Sequence, residues 1–133
     1  MKAMNDLHLP EDLNYSDAHV WVKKEGDTCR IGISDYAQDQ LGEVIFVELP
    51  EAGTRFAGGE IFGTVESVKT VSDLYMPVDG EVTAVNASLS DAPDRINADP
   101  YGKGWMLIIR PDDPASSDAL NARDAYLAQL KNG

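Results

Sequence analysis

Lys69 is the side chain of this sequence best placed to take part in chemistry. It stands between two short, β-branched, apolar runs in GTVESVKTVSDLYMPVDGEV (63–82), and no other cation lies between Arg55 and Arg95. Glu66 precedes it by three residues and Asp73 follows it by four. Two nearly symmetric strands around one lysine predict a hairpin whose turn is stiff and projects its side chain away from the sheet. A primary amine marked in this way is a position that a modifying enzyme can read. The plainer alternative is a solvated turn lysine.

Other chemistries find no support. Cys29 is the only cysteine, which excludes an internal disulfide, a CxxC redox pair and a thiolate-rich zinc site. Set in TCRIGI, it reads as a small strand residue. His8 and His19 are the only histidines and have no metal-binding spacing, so no metal ligand set is expected and both read as solvated or capping side chains. No G-x-S-x-G elbow, P-loop or dinucleotide-binding glycine fingerprint is present, and FAGGE is a glycine turn ahead of a strand. Paired carboxylates arise readily by chance among 23 acids and mostly form a solvated surface. No catalytic residue is assigned.

The elements that must hold Lys69 are mostly short strands. HVWVKK (19–24) and TCRIGIS (28–34) flank the turn Glu25-Gly26-Asp27 and form a hairpin. Ser34 caps a short helix, DYAQDQL, that ends at Gly42. Strands follow at 43–49, 61–68, 70–76, 81–87 and 105–110, with a polar, turn-rich surface loop from Ser88 to Gly104. Residues 117–131 have helical spacing, with Ala119, Ala122, Tyr126 and Leu130 on one stripe and Asn132-Gly133 at the end. Residues 1–14 read as a loosely ordered lead-in. The 133 residues, 43% of them hydrophobic, form a single domain with one core. The fold class is mainly β: a flattened barrel or sandwich with a short helix and a C-terminal α-helix.

A net charge of -12, from 11 basic and 23 acidic residues, repels nucleic acid and anionic membranes and attracts basic protein surfaces. The longest apolar run, WMLII, is too short to cross a bilayer, and the acidic N-terminus has no signal-peptide pattern. A monomer in the cytoplasm is expected.

The segment GTVESVKTVSDLYMPVDGEVTAVN resembles the lipoyl-attachment segment of the glycine cleavage system H protein family. YSDAHVW, IGISDYAQDQLGEVIFVELPEAG and INADPYGKGWMLIIRP resemble that family's other landmarks, in the same order. The resemblance implies a lipoyl/biotinyl-type (hammerhead) fold, with lipoic acid in amide linkage on Lys69. It implies a non-catalytic carrier whose dithiolane takes an aminomethyl group from a pyridoxal-phosphate glycine decarboxylase and presents it to a tetrahydrofolate-dependent aminomethyltransferase. Dihydrolipoamide dehydrogenase then reoxidises the dithiol, and a lipoate ligase or a lipoyl/octanoyl transferase attaches the cofactor. Gly53, Glu66 and Asp73 match positions that the family uses for recognition by the lipoylating enzyme. Gly53 is equally well explained as the turn residue of PEAG.

One stretch departs from the pattern. The family usually has an acid between the His and Trp of its first strand, often with a serine two places earlier, and this chain has Ala18-His19-Val20-Trp21. In the family those polar groups and the acid after the lysine line a cleft for the loaded arm. Ala18, Val20 and Asp73 are the corresponding positions, and only Asp73 is polar. A related lipoyl donor serving other lipoyl domains or another redox system is the alternative. A biotinyl carrier is disfavoured because Val68 and Thr70, not methionines, flank the lysine.

Overall fold

The computed structural model describes residues 2–132. Nine strands form two antiparallel sheets. The larger sheet has the order β1-β2-β3-β9-β8-β5 and is built from β1 (Asn14–Tyr15), β2 (Val20–Glu25), β3 (Thr28–Ile33), β5 (Arg55–Phe56), β8 (Gly80–Val85) and β9 (Leu107–Pro111). The smaller, with order β4-β6-β7, is built from β4 (Val44–Glu48), β6 (Ile61–Ser67) and β7 (Val71–Tyr75). The result is a sandwich of two open sheets, not a closed barrel. Three α-helices, α1 (Asp35–Leu41), α2 (Arg95–Ala98) and α3 (Arg123–Asn132), complete the described elements together with short 3-10 turns.

Strand alternation explains the layering. Along β2, Val20 and Val22 point into the core between the sheets, while Trp21 points the other way into a second cluster. All three are buried, because the larger sheet is covered on both faces at this end. The second cluster contains Leu7, Leu9 and Leu13 from the N-terminal segment, Tyr15 from β1, and Tyr126 and Leu130 from α3.

The N-terminal segment therefore differs from the loosely ordered lead-in expected for residues 1–14. Its three leucines cover the outer face of β2, and Asp35 at the start of α1 anchors its backbone. The Asp35 carboxylate accepts hydrogen bonds from the His8 N–H at 2.8 Å, Lys2 Nζ at 2.9 Å and Gln38 Nε2 at 2.7 Å.

The C-terminal helix starts later than expected. Ser116–Ala119 form a 3-10 turn, and Asn121 exchanges two backbone hydrogen bonds with Tyr15, of 2.8 and 2.9 Å, before α3 begins. Of the expected stripe, Tyr126 and Leu130 are buried, Ala119 and Ala122 are exposed, and Gly133 lies outside the described residues. The polar stretch after β8 is more ordered than a surface loop, because it carries the buried Leu89 and Ile96, the latter in α2. Ser34 caps α1 as expected, its side chain accepting the Ala37 N–H.

Asp35 gives the fold a defined acid sensitivity. Burial alone would raise its carboxyl pKa, but the His8 N–H, the Lys2 ammonium and the Gln38 amide outweigh burial and hold it below the ordinary carboxylate value. With the folded value below the unfolded one, its stabilisation is complete above the unfolded carboxylate range, about 3.9, and is lost as pH falls through the folded value. Asp35→Asn should lower stability at neutral pH and flatten the acid limb of the stability profile, as read by urea denaturation across pH. Amide exchange at Leu7 to Leu9 should speed up in the same variant.

Candidate functional site

The hairpin that carries Lys69 is formed by β6 and β7. Their register runs from Ile61↔Tyr75 to Glu66↔Val71. The Ser67 N–H donates to the Thr70 carbonyl at 2.8 Å, leaving Val68 and Lys69 as a two-residue tip. Such tips usually rely on positive φ, supplied by glycine or asparagine. Here neither tip residue has positive φ, because His19 is the only non-glycine residue with it among the described residues.

The Ser67 side chain closes the turn instead. Its Oγ accepts the N–H groups of Lys69 and Thr70, each at 3.2 Å, and donates to the Thr70 carbonyl at 3.3 Å. The Val68 N–H donates to the Glu43 carbonyl at 3.0 Å and ties the tip to the approach of β4. All four backbone N–H groups from Ser67 to Thr70 thus have fixed partners, while the Lys69 side chain is exposed and forms no ion pair with any described residue.

The lysine stem lies across the end of α1. Gly42 ends that helix at φ 77, and a Cβ at this position would stand 2.9 Å from Lys69 Cε. Asn97 of α2 fixes the same corner, donating to the Gly42 carbonyl at 2.8 Å and accepting the Val44 N–H at 2.8 Å. The missing side chain at residue 42 therefore forms a shallow cradle for the stem. It leaves the ε-amine free and gives the lysine stem a defined direction.

Two depressions open from this corner. Between α1 and α2 a groove of about 480 Å³ includes Gly42 and carries the acids Asp39, Glu43 and Asp94. Between α1 and the edge strand β7 lies a cleft of about 280 Å³, lined in part by Ala18, His19, Tyr36, Leu41, Ser72 and Asp73.

The site residues expected from sequence fall into three groups. Lys69, Glu66 and Asp73 share the β6–β7 hairpin and are exposed, with Glu66 between Phe46 of β4 and Val71 of β7 in one cross-strand row. Ala18 and Asp73 border the cleft. Val20 is absent from its lining, because alternation in β2 turns it into the core opposite Ile33, at 1% exposure. Gly53 lies elsewhere, in the loop before β5. It has φ 93, donates its N–H to the Val82 carbonyl at 2.7 Å, and has open space where a Cβ would be. Its backbone conformation is sufficient reason for a glycine.

His19 was not among the expected site residues. It lines the cleft with a left-handed backbone, φ 70, and its Nδ1 lies 2.7 Å from Tyr126 Oη. Burial lowers its pKa, partly opposed by Asp17, so the ring is neutral at pH 7. Sequence carries no signal for this contact, since its partner Tyr126 is far along the chain.

The family model described as glycine cleavage H-protein matches residues 13–133. The chain belongs to that family. It is 52% identical over 123 residues to the probable glycine cleavage system H protein of Haloarcula marismortui, covering 92% of this chain and 97% of that one. It is 49% identical over 127 residues to the glycine cleavage system H protein of Geobacillus thermodenitrificans, covering 96% of this chain and 100% of that one. The crystal structure of a glycine cleavage system H protein from Mycobacterium marinum superposes with a TM-score of 0.85 at 37% identity, over 92% of this chain and 99% of the other. The family is one of non-catalytic lipoyl carriers in glycine cleavage, and this chain is such a carrier. Among the described residues, no helix is long and apolar enough to cross a membrane.

If Ser67 closes the tip, Ser67→Ala should destabilise the protein by about 1 kcal/mol, the usual worth of a side-chain hydrogen bond of this kind. Amide exchange should accelerate at Lys69 and Thr70 and stay unchanged in β9. Denaturant midpoints and exchange mass spectrometry provide the two readings.

Proposed function

We propose that Lys69 is the residue that carries lipoic acid, joined by an amide to its ε-amine. The observation that carries this reading is the exposed, unpaired amine on a side-chain-braced tip, its stem lying over Gly42, in a chain of the glycine cleavage H-protein family. Once attached, the dithiolane supplies a redox-active disulfide and a sulfur able to bear an aminomethyl group. The chain supplies the rest. It holds the attachment point rigid, leaves the arm free to turn, and offers each partner enzyme the same face.

The partners in this reading are the pyridoxal-phosphate glycine decarboxylase, the aminomethyltransferase and dihydrolipoamide dehydrogenase, all in the cytoplasm. Tethering keeps the reactive sulfur at high effective concentration in each docked active site. The attaching enzyme, a lipoate ligase or a lipoyl/octanoyl transferase, reads the hairpin through Glu66 and Asp73. Glu66 is well suited to this, because it is exposed between the exposed side chains of Phe46 and Val71, which give an enzyme an apolar surface around one charge. Gly53 contributes by shaping its loop.

Incubation with lipoate ligase, lipoate and ATP should add one lipoyl group, mapped to Lys69 by peptide mass spectrometry. Lys69→Arg should accept none, and an adduct on another lysine would refute the assignment. Glu66→Ala should slow attachment several-fold while leaving the melting temperature within a degree or so, since an exposed carboxylate adds little to stability. An unchanged rate would remove Glu66 from the recognition surface.

A further inference from the structure

His19 ends a chain of hydrogen bonds whose direction can be worked out. Its Nδ1 lies 2.7 Å from Tyr126 Oη, which lies 2.7 Å from Ser34 Oγ. Ser34 is fully buried, and its Oγ already accepts the Ala37 N–H as the cap of α1. Among the described residues that oxygen has no third partner, so the Ser34 proton goes to Tyr126 Oη. Tyr126 in turn donates its own proton to His19 Nδ1. A neutral imidazole that accepts at Nδ1 carries its hydrogen on Nε2. Both hydroxyl protons then have acceptors.

The backbone also singles out this residue. His19 has φ 70, a region uncommon for residues other than glycine. The turn is fixed by main-chain bonds, from the His19 N–H to the Ser16 carbonyl at 3.1 Å and from the Ser34 N–H to the His19 carbonyl at 2.9 Å. Neither bond needs an imidazole, so the reason for a histidine lies in its side chain.

Acid is incompatible with the closed chain. Nε2 already carries hydrogen, so the nitrogen left to take a proton is Nδ1, the one covered by Tyr126. An imidazolium donates at Nδ1, which turns the Tyr126 proton towards Ser34 Oγ. The Ser34 proton is then left in a fully buried place with no acceptor. The other outcome is that the ring parts from Tyr126. Either way the chain cannot stay both closed and satisfied.

The titratable groups bordering His19 are Asp17 in its own turn, Tyr36 of α1, Tyr126 of α3, and Asp73 of β7 across the cleft. Both carboxylates favour the imidazolium. Asp73 is exposed and screened by solvent, and burial of the ring outweighs Asp17, so the balance is on the side of the neutral form.

Tyr126 is what the chain holds in place. It is fully buried, stacks on Tyr15 with ring centroids 4.6 Å apart, and is one of the two buried residues of α3, with Leu130. Both belong to the cluster that covers the outer face of β2.

We propose that His19, Tyr126 and Ser34 form an acid-released latch for α3, in which neutral His19 holds the helix on the larger sheet and protonated His19 lets it go. Release uncovers the cluster around Tyr15 and leaves the β6–β7 hairpin, which belongs to the other sheet, in place. With the folded pKa of His19 below the unfolded one, the stabilisation is complete above about 6.5 and is lost as pH falls through the folded value. The Asp35 effect begins only below the carboxylate range, about 3.9, so measurements kept above about pH 5 separate the two.

The test uses the full chain between about pH 8 and about pH 5. Imidazole nitrogen NMR should place the His19 hydrogen on Nε2 at the upper end and give a titration midpoint below that of a free histidine. Amide exchange at residues 126–131, corrected for its intrinsic pH dependence, should show opening about tenfold more frequent at the lower end, with β9 unchanged. His19→Asn tolerates the left-handed backbone and does not titrate in this range, so opening of α3 should become independent of pH. Tyr126→Phe keeps the ring on Tyr15 but removes the donor to Nδ1, and the His19 midpoint should rise towards the ordinary value. The proposal is overturned if the His19 hydrogen resides on Nδ1, if wild-type α3 opens equally often at both ends of the range, if the pH dependence persists in His19→Asn, or if Tyr126→Phe leaves the midpoint unchanged.

Discussion

A two-residue turn without glycine needs something other than backbone freedom to close it, and here that is the hydroxyl of Ser67. Its oxygen accepts two consecutive amide hydrogens, at Lys69 and Thr70, and its proton goes to the Thr70 carbonyl. The Glu43 carbonyl holds the Val68 amide from the other side. Together these bonds fix where the lysine Cα stands and in which direction its stem leaves. Gly42 then lets the stem lie flat across the end of α1. The protein contributes position, and the mobility that a carrier needs is left to the side chain and whatever it carries.

The rest of the sandwich supports this corner. The larger sheet is buried on both faces at its β1–β2–β3 end, so it needs both the N-terminal leucines and α3 as cover. That cover brings Tyr126 under His19, and through Ser34 it reaches the cap of α1. A helix at the far end of the chain thereby packs beneath a residue that lines the cleft next to the Lys69 corner. Around the amine the surface is acidic, with Glu66 and Asp73 on the hairpin and Asp39, Glu43 and Asp94 along the neighbouring groove. Such a field favours brief encounters with basic partner surfaces and weakens as salt rises.

The elements that sequence reveals here are those whose determinants are local. Alternating β-branched runs mark β6 and β7, and the Ser34 cap with Gly42 marks both ends of α1. Lys69 stands out because its flanking strands match each other. What sequence leaves out depends on contacts between distant segments. Leu7, Leu9 and Leu13 read as part of a loose lead-in because nothing nearby shows that the outer face of β2 needs covering. Ile96 is hidden in a polar stretch, and the start of α3 is delayed by backbone pairing between Asn121 and Tyr15. Val20 corresponds to a cleft position by resemblance to the family's motif, yet the pleat of β2 sends it to the core. His19 reads as an ordinary solvated histidine until Tyr126 is seen beneath it.

Backbone nitrogen relaxation at the hairpin tip tests the central claim, that Lys69 is held by a side-chain-closed turn, most directly. A braced tip requires order parameters of about 0.85 at Val68, Lys69 and Thr70, equal to those of β6 and β7, while the Lys69 side chain beyond Cγ stays mobile. Values below about 0.6 at Val68 and Lys69 would show a flexible loop and contradict the account.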